Sequence, residues 1–182
     1  MNYIFSAIFL YIFLGVLLYI FQRRIIFNKS GHPGAPQDYN LTKTEEIYIK
    51  TEDSLDLLSW YHKGDNSLPL LVYFHGNSFH IGDRAYRIER YIERNWSVLL
   101  VSWRGFGGNK GNPTEKNLYK DAEAVLKWIK NNTEFKFKDL VIYGESLGSG
   151  AAVEMGTKYK FLSIVLEAPF TSINDIAKKR YK

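Results

Sequence analysis

Four short apolar runs, each separated from the next by a helix-sized stretch, constrain this chain more than any other feature. They are Leu68–Phe74, Ser97–Ser102, Asp139–Tyr143 and Leu162–Leu166. Apolar residues at consecutive rather than alternate positions suit strands covered on both faces. Between them, Asp83–Asn95, Thr114–Asn131 and Ser146–Lys158 carry helical periodicity. In the second of these, Leu118, Ala122, Val125, Leu126 and Ile129 share one face, and Thr114 is placed to cap its start. The alternation predicts an α/β fold, a mostly parallel sheet flanked by helices and joined by right-handed crossovers. Two further strands are expected ahead of it. Glu45–Thr51 alternates as a half-buried strand does, and Leu55–His62 reads as its antiparallel neighbour across a turn at Glu52-Asp53-Ser54. The count is six strands.

The N-terminus has a different solvent. Tyr3 to Phe21 contains no charge, and nineteen helical residues span about 28 Å, close to the hydrocarbon thickness of a bilayer. Gln22, Arg23 and Arg24 then form a polar stop. No Lys or Arg precedes the run and no Ala-x-Ala site follows it, so a membrane anchor is expected rather than a cleaved secretory signal. Arg23, Arg24 and Lys29 all lie after the span, which by the positive-inside rule places the remainder on the cytoplasmic side of a single-pass protein. The segment 28–40, with two Gly and two Pro among polar residues, reads as a connector. The expected organisation is an anchor at 1–22, a linker at 23–40 and a domain at 41–182.

Composition excludes several classes. The chain has no cysteine, so it holds no disulfide scaffold, thiolate metal site or cysteine nucleophile. Its 24 Lys and Arg against 19 Asp and Glu are scattered, which argues against a nucleic-acid partner. No His, Asp or Glu cluster has metal-ligand spacing, so no metal is expected. The glycine-rich stretch Arg104–Asn112 contains neither GxxxxGK[ST] nor a GxGxxG opening a helix. No cofactor is expected, and the stretch reads as a tight loop rimming a pocket.

The chemistry concentrates at Gly144-Glu145-Ser146-Leu147-Gly148. This GxSxG directly follows the run DLVIY and directly precedes a helix, the context of a nucleophile elbow. Gly on either side of a strained Ser lets strand and helix backbones approach, and the Ser Oγ projects at a helix N-terminus where developing negative charge is stabilised. Ser146 is therefore the candidate nucleophile, and the N–H of Leu147 one oxyanion donor. His75-Gly76-Asn77 ends the first long parallel strand, and Asn77 is the candidate for the second donor N–H. His75, in an HG pair, reads as structural rather than as a base. Arg84, Arg87, Arg90 and Arg94, interleaved with Glu89 and Glu93, read as a solvated helix face with local ion pairs.

With HGN, RGFGGNKGNPTE, GESLGSG and EAPFTSI in that order behind one N-terminal span, the chain resembles the membrane-anchored α/β hydrolases of the bud-emergence and abhydrolase-domain type, a serine-aminopeptidase-like group. The resemblance runs from Phe27 to the C-terminus. It implies an α/β-hydrolase fold with an eight-stranded sheet, and a Ser-Asp-His triad acting on a small acyl substrate, an ester, thioester or amide.

The triad's other members are not identified. In this fold the order is Ser, then acid, then His, whereas His32, His62, His75 and His80 all precede Ser146. Asp175 matches a family position before the triad acid, and Glu167, closing the sixth strand, is a poor substitute for it. The sequence thus reads as a hydrolase incomplete at its C-terminal edge, with about six of eight strands. The basic tail Lys178–Lys182 reads as the start of a helix. The strand Leu162–Leu166 becomes an edge although its composition suits an interior position. Two expectations follow. In one, a second polypeptide completes the sheet and supplies acid and base beside the lipid bilayer. In the alternative, the chain is a non-catalytic remnant or a ligand-binding pseudoenzyme.

Overall fold

The computed structural model describes residues 2–29 and 31–172. Asp175 and the basic tail Lys178–Lys182 lie outside the described residues. The chain opens with helix α1 (Asn2–Ile26), a two-residue strand β1 (Asn28–Lys29) and a 3-10 turn at Pro36–Tyr39. There follow β2 (Thr44–Lys50), β3 (Asp56–His62), β4 (Leu70–Phe74), β5 (Ser78–Phe79), α2 (Ala85–Ile92), β6 (Ser97–Val101), α3 (Glu115–Asn132), β7 (Leu140–Glu145), α4 (Leu147–Lys158) and β8 (Ser163–Glu167).

Six strands form one mixed sheet in the order β2-β3-β6-β4-β7-β8. β2 and β3 are antiparallel, β3 meets β6 antiparallel, and β6, β4, β7 and β8 run parallel. Every residue of β4 and β6 is buried. The two-residue period of a strand divides such a run between two cores. Leu70, Val72 and Phe74 join the cluster beneath α3 and α4 with Leu126, Ile129 and Met155. Leu71 and Tyr73 join the other, with Ile81, Ile88 and Trp60. The expected class and the six strands expected for the sheet are the observed ones.

The boundaries differ at two points. The stretch expected as one helix over Asp83–Asn95 is a 3-10 turn at Ile81–Arg84 followed by the shorter α2. The segment after α1 is packed rather than loose. Phe27 is buried and meets Phe106 edge-on at 6.3 Å, Pro33 and Pro36 are buried, and Tyr39 packs on Trp60 while its hydroxyl donates to the Pro33 carbonyl. Backbone pairing continues this docking, since β1 forms a parallel two-stranded ribbon with β5. Strands of two residues leave no periodicity to read, which is why the ribbon was not expected.

Two surfaces remain apolar. In α1, Tyr3–Gln22 is long and apolar enough to cross a membrane, and none of it is buried against the domain. In β8, Ile164, Val165 and Leu166 are each a little over a third exposed. β7 is the one strand paired with β8 among the described residues.

Candidate active site

The parallel register aligns the C-terminal ends of β4, β7 and β8. Phe74 pairs with Gly144, and Glu145 with Glu167, so the turn after β7 lies between the loops after β4 and β8. Ser146 occupies that turn with φ 47° and ψ −108°, in the positive-φ region that a side-chain-bearing residue enters only under constraint. Its N–H donates to the Glu167 carbonyl at 2.8 Å. Its own carbonyl accepts from the Ser149 N–H at 2.9 Å and from the Ser149 hydroxyl.

The flanking glycines are sterically required. A Cβ at Gly144 would come within 2.7 Å of the Ser149 Cα and 2.8 Å of the Ala152 Cβ, and one at Gly148 would collide with the Phe74 carbonyl. Leu147 is the first residue of α4, so its N–H has no intrahelical acceptor. Asn77 lies in the loop between β4 and β5, partly buried. Gly76 precedes it, so close to Glu145 that a Cβ there would approach the Glu145 carboxylate to 2.9 Å. The three residues singled out for chemistry thus sit together at the C-terminal ends of β4 and β7.

Arg84, at the N-cap of α2, and Arg87, within it, do not lie on the expected solvated face but reach inward and hold the elbow. Arg84 is buried and donates to both carboxylate oxygens of Glu145, at 2.8 and 3.1 Å, and to the Ser78 carbonyl. Arg87 pairs with Glu167, whose carboxylate also accepts from the Tyr143 hydroxyl. Tyr73 donates to Glu145 and stacks on Tyr143 at 4.6 Å. Burial pushes the Tyr143 hydroxyl up to about 12, with the Glu167 hydrogen bond adding to it. Glu145 is drawn below the usual carboxylate range: burial alone would raise it, and the Arg84 and Tyr73 hydrogen bonds overcome that. Glu167 is therefore committed to an ion pair. The signal in the sequence was the spacing Arg84-x-x-Arg87, which places both on one side of a helix beside the buried Ala85 and Ile88.

The histidines have other partners. His75 is fully buried; its ring nitrogens face the Gly76 carbonyl at 2.6 Å and the Trp103 N–H at 3.4 Å. Burial, reinforced by the nearby Arg84 charge, lowers its pKa to about 4. His62 meets Thr44, His80 meets Asp83 at 3.0 Å on its own turn, and His32 lies 4.0 Å from Glu46. The His75 shift has a measurable consequence. A depressed folded-state pKa contributes stability that is complete above the unfolded value near 6.5 and is lost as pH falls toward 4, about 3 kcal/mol in all. The expected result is a urea midpoint that declines steadily from pH 7 to pH 4, with the His75 ring signals in NMR remaining those of neutral imidazole at pH 5.5. A flat stability profile would contradict it.

The loop after β6 is a structural staple. Gly105, Gly107, Gly108 and Gly111 all have positive φ, and the loop turns its polar groups inward. Arg104 is buried and binds Asp121 through its side chain and its backbone N–H, while its other guanidinium nitrogens hold Asp53. The Arg104 and Thr51 hydrogen bonds hold the Asp53 carboxyl well below the usual range. Asn109 accepts from the Leu58 N–H and donates to the Ser102 and Trp103 carbonyls. A groove of about 790 Å³ runs past Lys50, Lys120, Lys127 and Trp128 on the far side of this staple, and shares no residue with the elbow.

Comparison with known proteins places this architecture. Residues 66–181 match the family described as serine aminopeptidase, S33. An uncharacterized protein of Mycobacterium tuberculosis is 32% identical over 165 residues, covering 88% of this chain and 58% of the relative. Protein bem46 of Schizosaccharomyces pombe is 31% identical, covering 78% and 49%. Lysophosphatidylserine lipase ABHD12 of Danio rerio is 28% identical, covering 79% and 44%. The chain spans about half the length of the curated relatives it matches. The Pyrococcus furiosus esterase Pf2001 superposes with a TM-score of 0.72 at 21% identity, over 86% of this chain and 62% of the esterase, and so shares the fold. The chain belongs to the family described as serine aminopeptidase, S33, and has the α/β-hydrolase fold.

Proposed function

We propose that this chain is the nucleophile-bearing part of a membrane-anchored serine hydrolase acting on a small acyl substrate. Ser146 Oγ attacks the acyl carbonyl carbon and gives up its proton to a base. The N–H groups of Asn77 and Leu147 stabilise the charge on the carbonyl oxygen. The intermediate collapses as the ester C–O bond breaks, and the alcohol leaves with the proton held by the base. Water, giving a proton to the same base, then cleaves the acyl-enzyme to the free acid and Ser146. The observation that carries this reading is the backbone of Ser146, held at positive φ between β7 and α4 by glycines that admit no larger residue. The acid and base are supplied by a polypeptide that pairs along β8, where three apolar side chains are partly exposed. Similarity to the lysophosphatidylserine lipase of Danio rerio favours esters over thioesters and amides. The apolar stretch of α1 spans the bilayer once, and the basic residues that follow that stretch put the domain on the cytoplasmic side.

His75, fully buried against backbone groups of Gly76 and Trp103, favours a second reading, in which the elbow and its loops bind an acyl ligand without turning it over. Hydrolysis of p-nitrophenyl butyrate by membranes carrying the chain separates the two. Ser146→Ala is expected to reduce the rate to that of membranes without the chain, since losing the nucleophile of a complete triad costs about 10⁶-fold. A rate unaffected by this substitution leaves the binding reading.

A further inference from the structure

The ribbon between β1 and β5 joins the two most functional ends of the molecule. α1 remains helical through Ile26. From Gln22, the end of its apolar window, five residues reach Phe27, a rise of only about 7.5 Å. Phe27 is already buried against Phe106 in the domain. The next two residues pair with Ser78 and Phe79, and Ser78 directly follows Asn77. The docked segment continues beyond the ribbon: His32 and Pro33 lie against Gly108 and Gly107 of the loop after β6. No slack connector therefore separates the apolar helix from the edge of the sheet that carries Ser146.

From this continuity we infer that the mouth of the candidate site is held against the surface of the bilayer that α1 crosses, so that its acyl substrate enters from the lipid headgroup layer. The inference rests on the reading of Ser146 as nucleophile and of α1 as a membrane span. Two exposed aromatic residues suit the position. Phe79 is 56% exposed and kept at φ 60°, and Tyr86 on the first turn of α2 is 62% exposed. Exposed aromatic rings are favoured at the boundary between hydrocarbon and water. α2 is fastened to the same edge, because Arg84 and Arg87 hold Glu145 and Glu167. The N-terminal ends of the parallel strands lie at the other end of the sheet. Asn66, exposed and bonded to Glu134, precedes β4, whose five residues span about 17 Å.

The absence of cysteine from the chain makes the arrangement measurable. Single substitutions Phe79→Cys, Tyr86→Cys and Asn66→Cys in the full chain, each coupled to a fluorophore, are reconstituted into phosphatidylcholine vesicles containing headgroup spin-labelled lipid. The probes at 79 and 86 are expected to be quenched at least about threefold more than the probe at 66. Inserting about twelve Gly and Ser residues between Arg24 and Ile25 gives the domain a reach of about 20 Å and is expected to abolish the difference. Equal quenching at all three positions, a difference that survives the insertion, or failure of the chain to float with vesicles would each overturn the inference. Failure of the hydrolase reading alone shows differently, as ester hydrolysis indifferent to Ser146→Ala beside an intact quenching pattern.

Discussion

Replacing Arg104 with leucine is expected to destabilise the domain by about 3–5 kcal/mol, because removal of one partner leaves a buried charge uncompensated. Asp121 has no solvent exposure, and Arg104 supplies it with two side-chain contacts, at 2.6 and 2.8 Å, and a backbone N–H at 3.0 Å. The same guanidinium ties in Asp53, so one side chain joins the turn before β3, the loop after β6 and the middle of α3. Arg104→Lys is expected to recover little, since a point charge cannot reproduce the forked contacts to two carboxylates. The double variant Arg104→Leu/Asp121→Leu is expected to regain most of the loss, because the desolvation penalty vanishes with both charges. Urea unfolding of the three variants measures this. A single variant within about 1 kcal/mol of the parent would show that the cluster contributes little.

Gly148→Ala is expected to be nearly as costly and to act directly on the elbow. The added methyl would collide with the Phe74 carbonyl and come within 3.0 Å of the His75 carbonyl. Both are backbone atoms of the central strand's end and cannot swing aside as a flexible side chain would. Overpacking of this kind costs about 1–3 kcal/mol, and more where the neighbours are rigid. Because α4 must retreat from β4 to relieve the contact, the Leu147 N–H moves away from the Asn77 loop. Gly150→Ala is the control: its Cβ would meet nothing within 4 Å, and the helix should gain slightly from the higher propensity of alanine. The prediction is a large loss of thermal stability and ester hydrolysis for Gly148→Ala, with neither lost for Gly150→Ala.

How far the fold could be read from the chain depended on the range of the interactions. β4, β6 and β7 were legible because burial on both faces demands consecutive apolar residues, and β8 carries the same local pattern although most of its side chains are exposed among the described residues. The turn at Ser146 was legible because GESLG carries its own steric logic. Arg84 and Arg87 were misread because their partners lie 61 and 80 residues away, and nothing local distinguishes an arginine that faces inward from one that faces water. Arg104 was absorbed into a glycine-rich loop for the same reason. Its partners, Asp53 and Asp121, are brought to it only when the β3 turn and α3 pack around the loop. His75 was read correctly as structural from its HG context, and its burial between Trp103 and Phe106 supplies the reason.

Covalent capture tests whether Ser146 is an activated nucleophile. Membranes carrying the chain are treated with a fluorophosphonate, and the modified peptides are mapped by mass spectrometry. The expected result is a phosphonyl adduct on Ser146 itself, saturable by competing ester and absent from Ser146→Ala. No adduct at Ser146 in membranes where other serine hydrolases are labelled, or an adduct elsewhere in the chain that persists in Ser146→Ala, would contradict it.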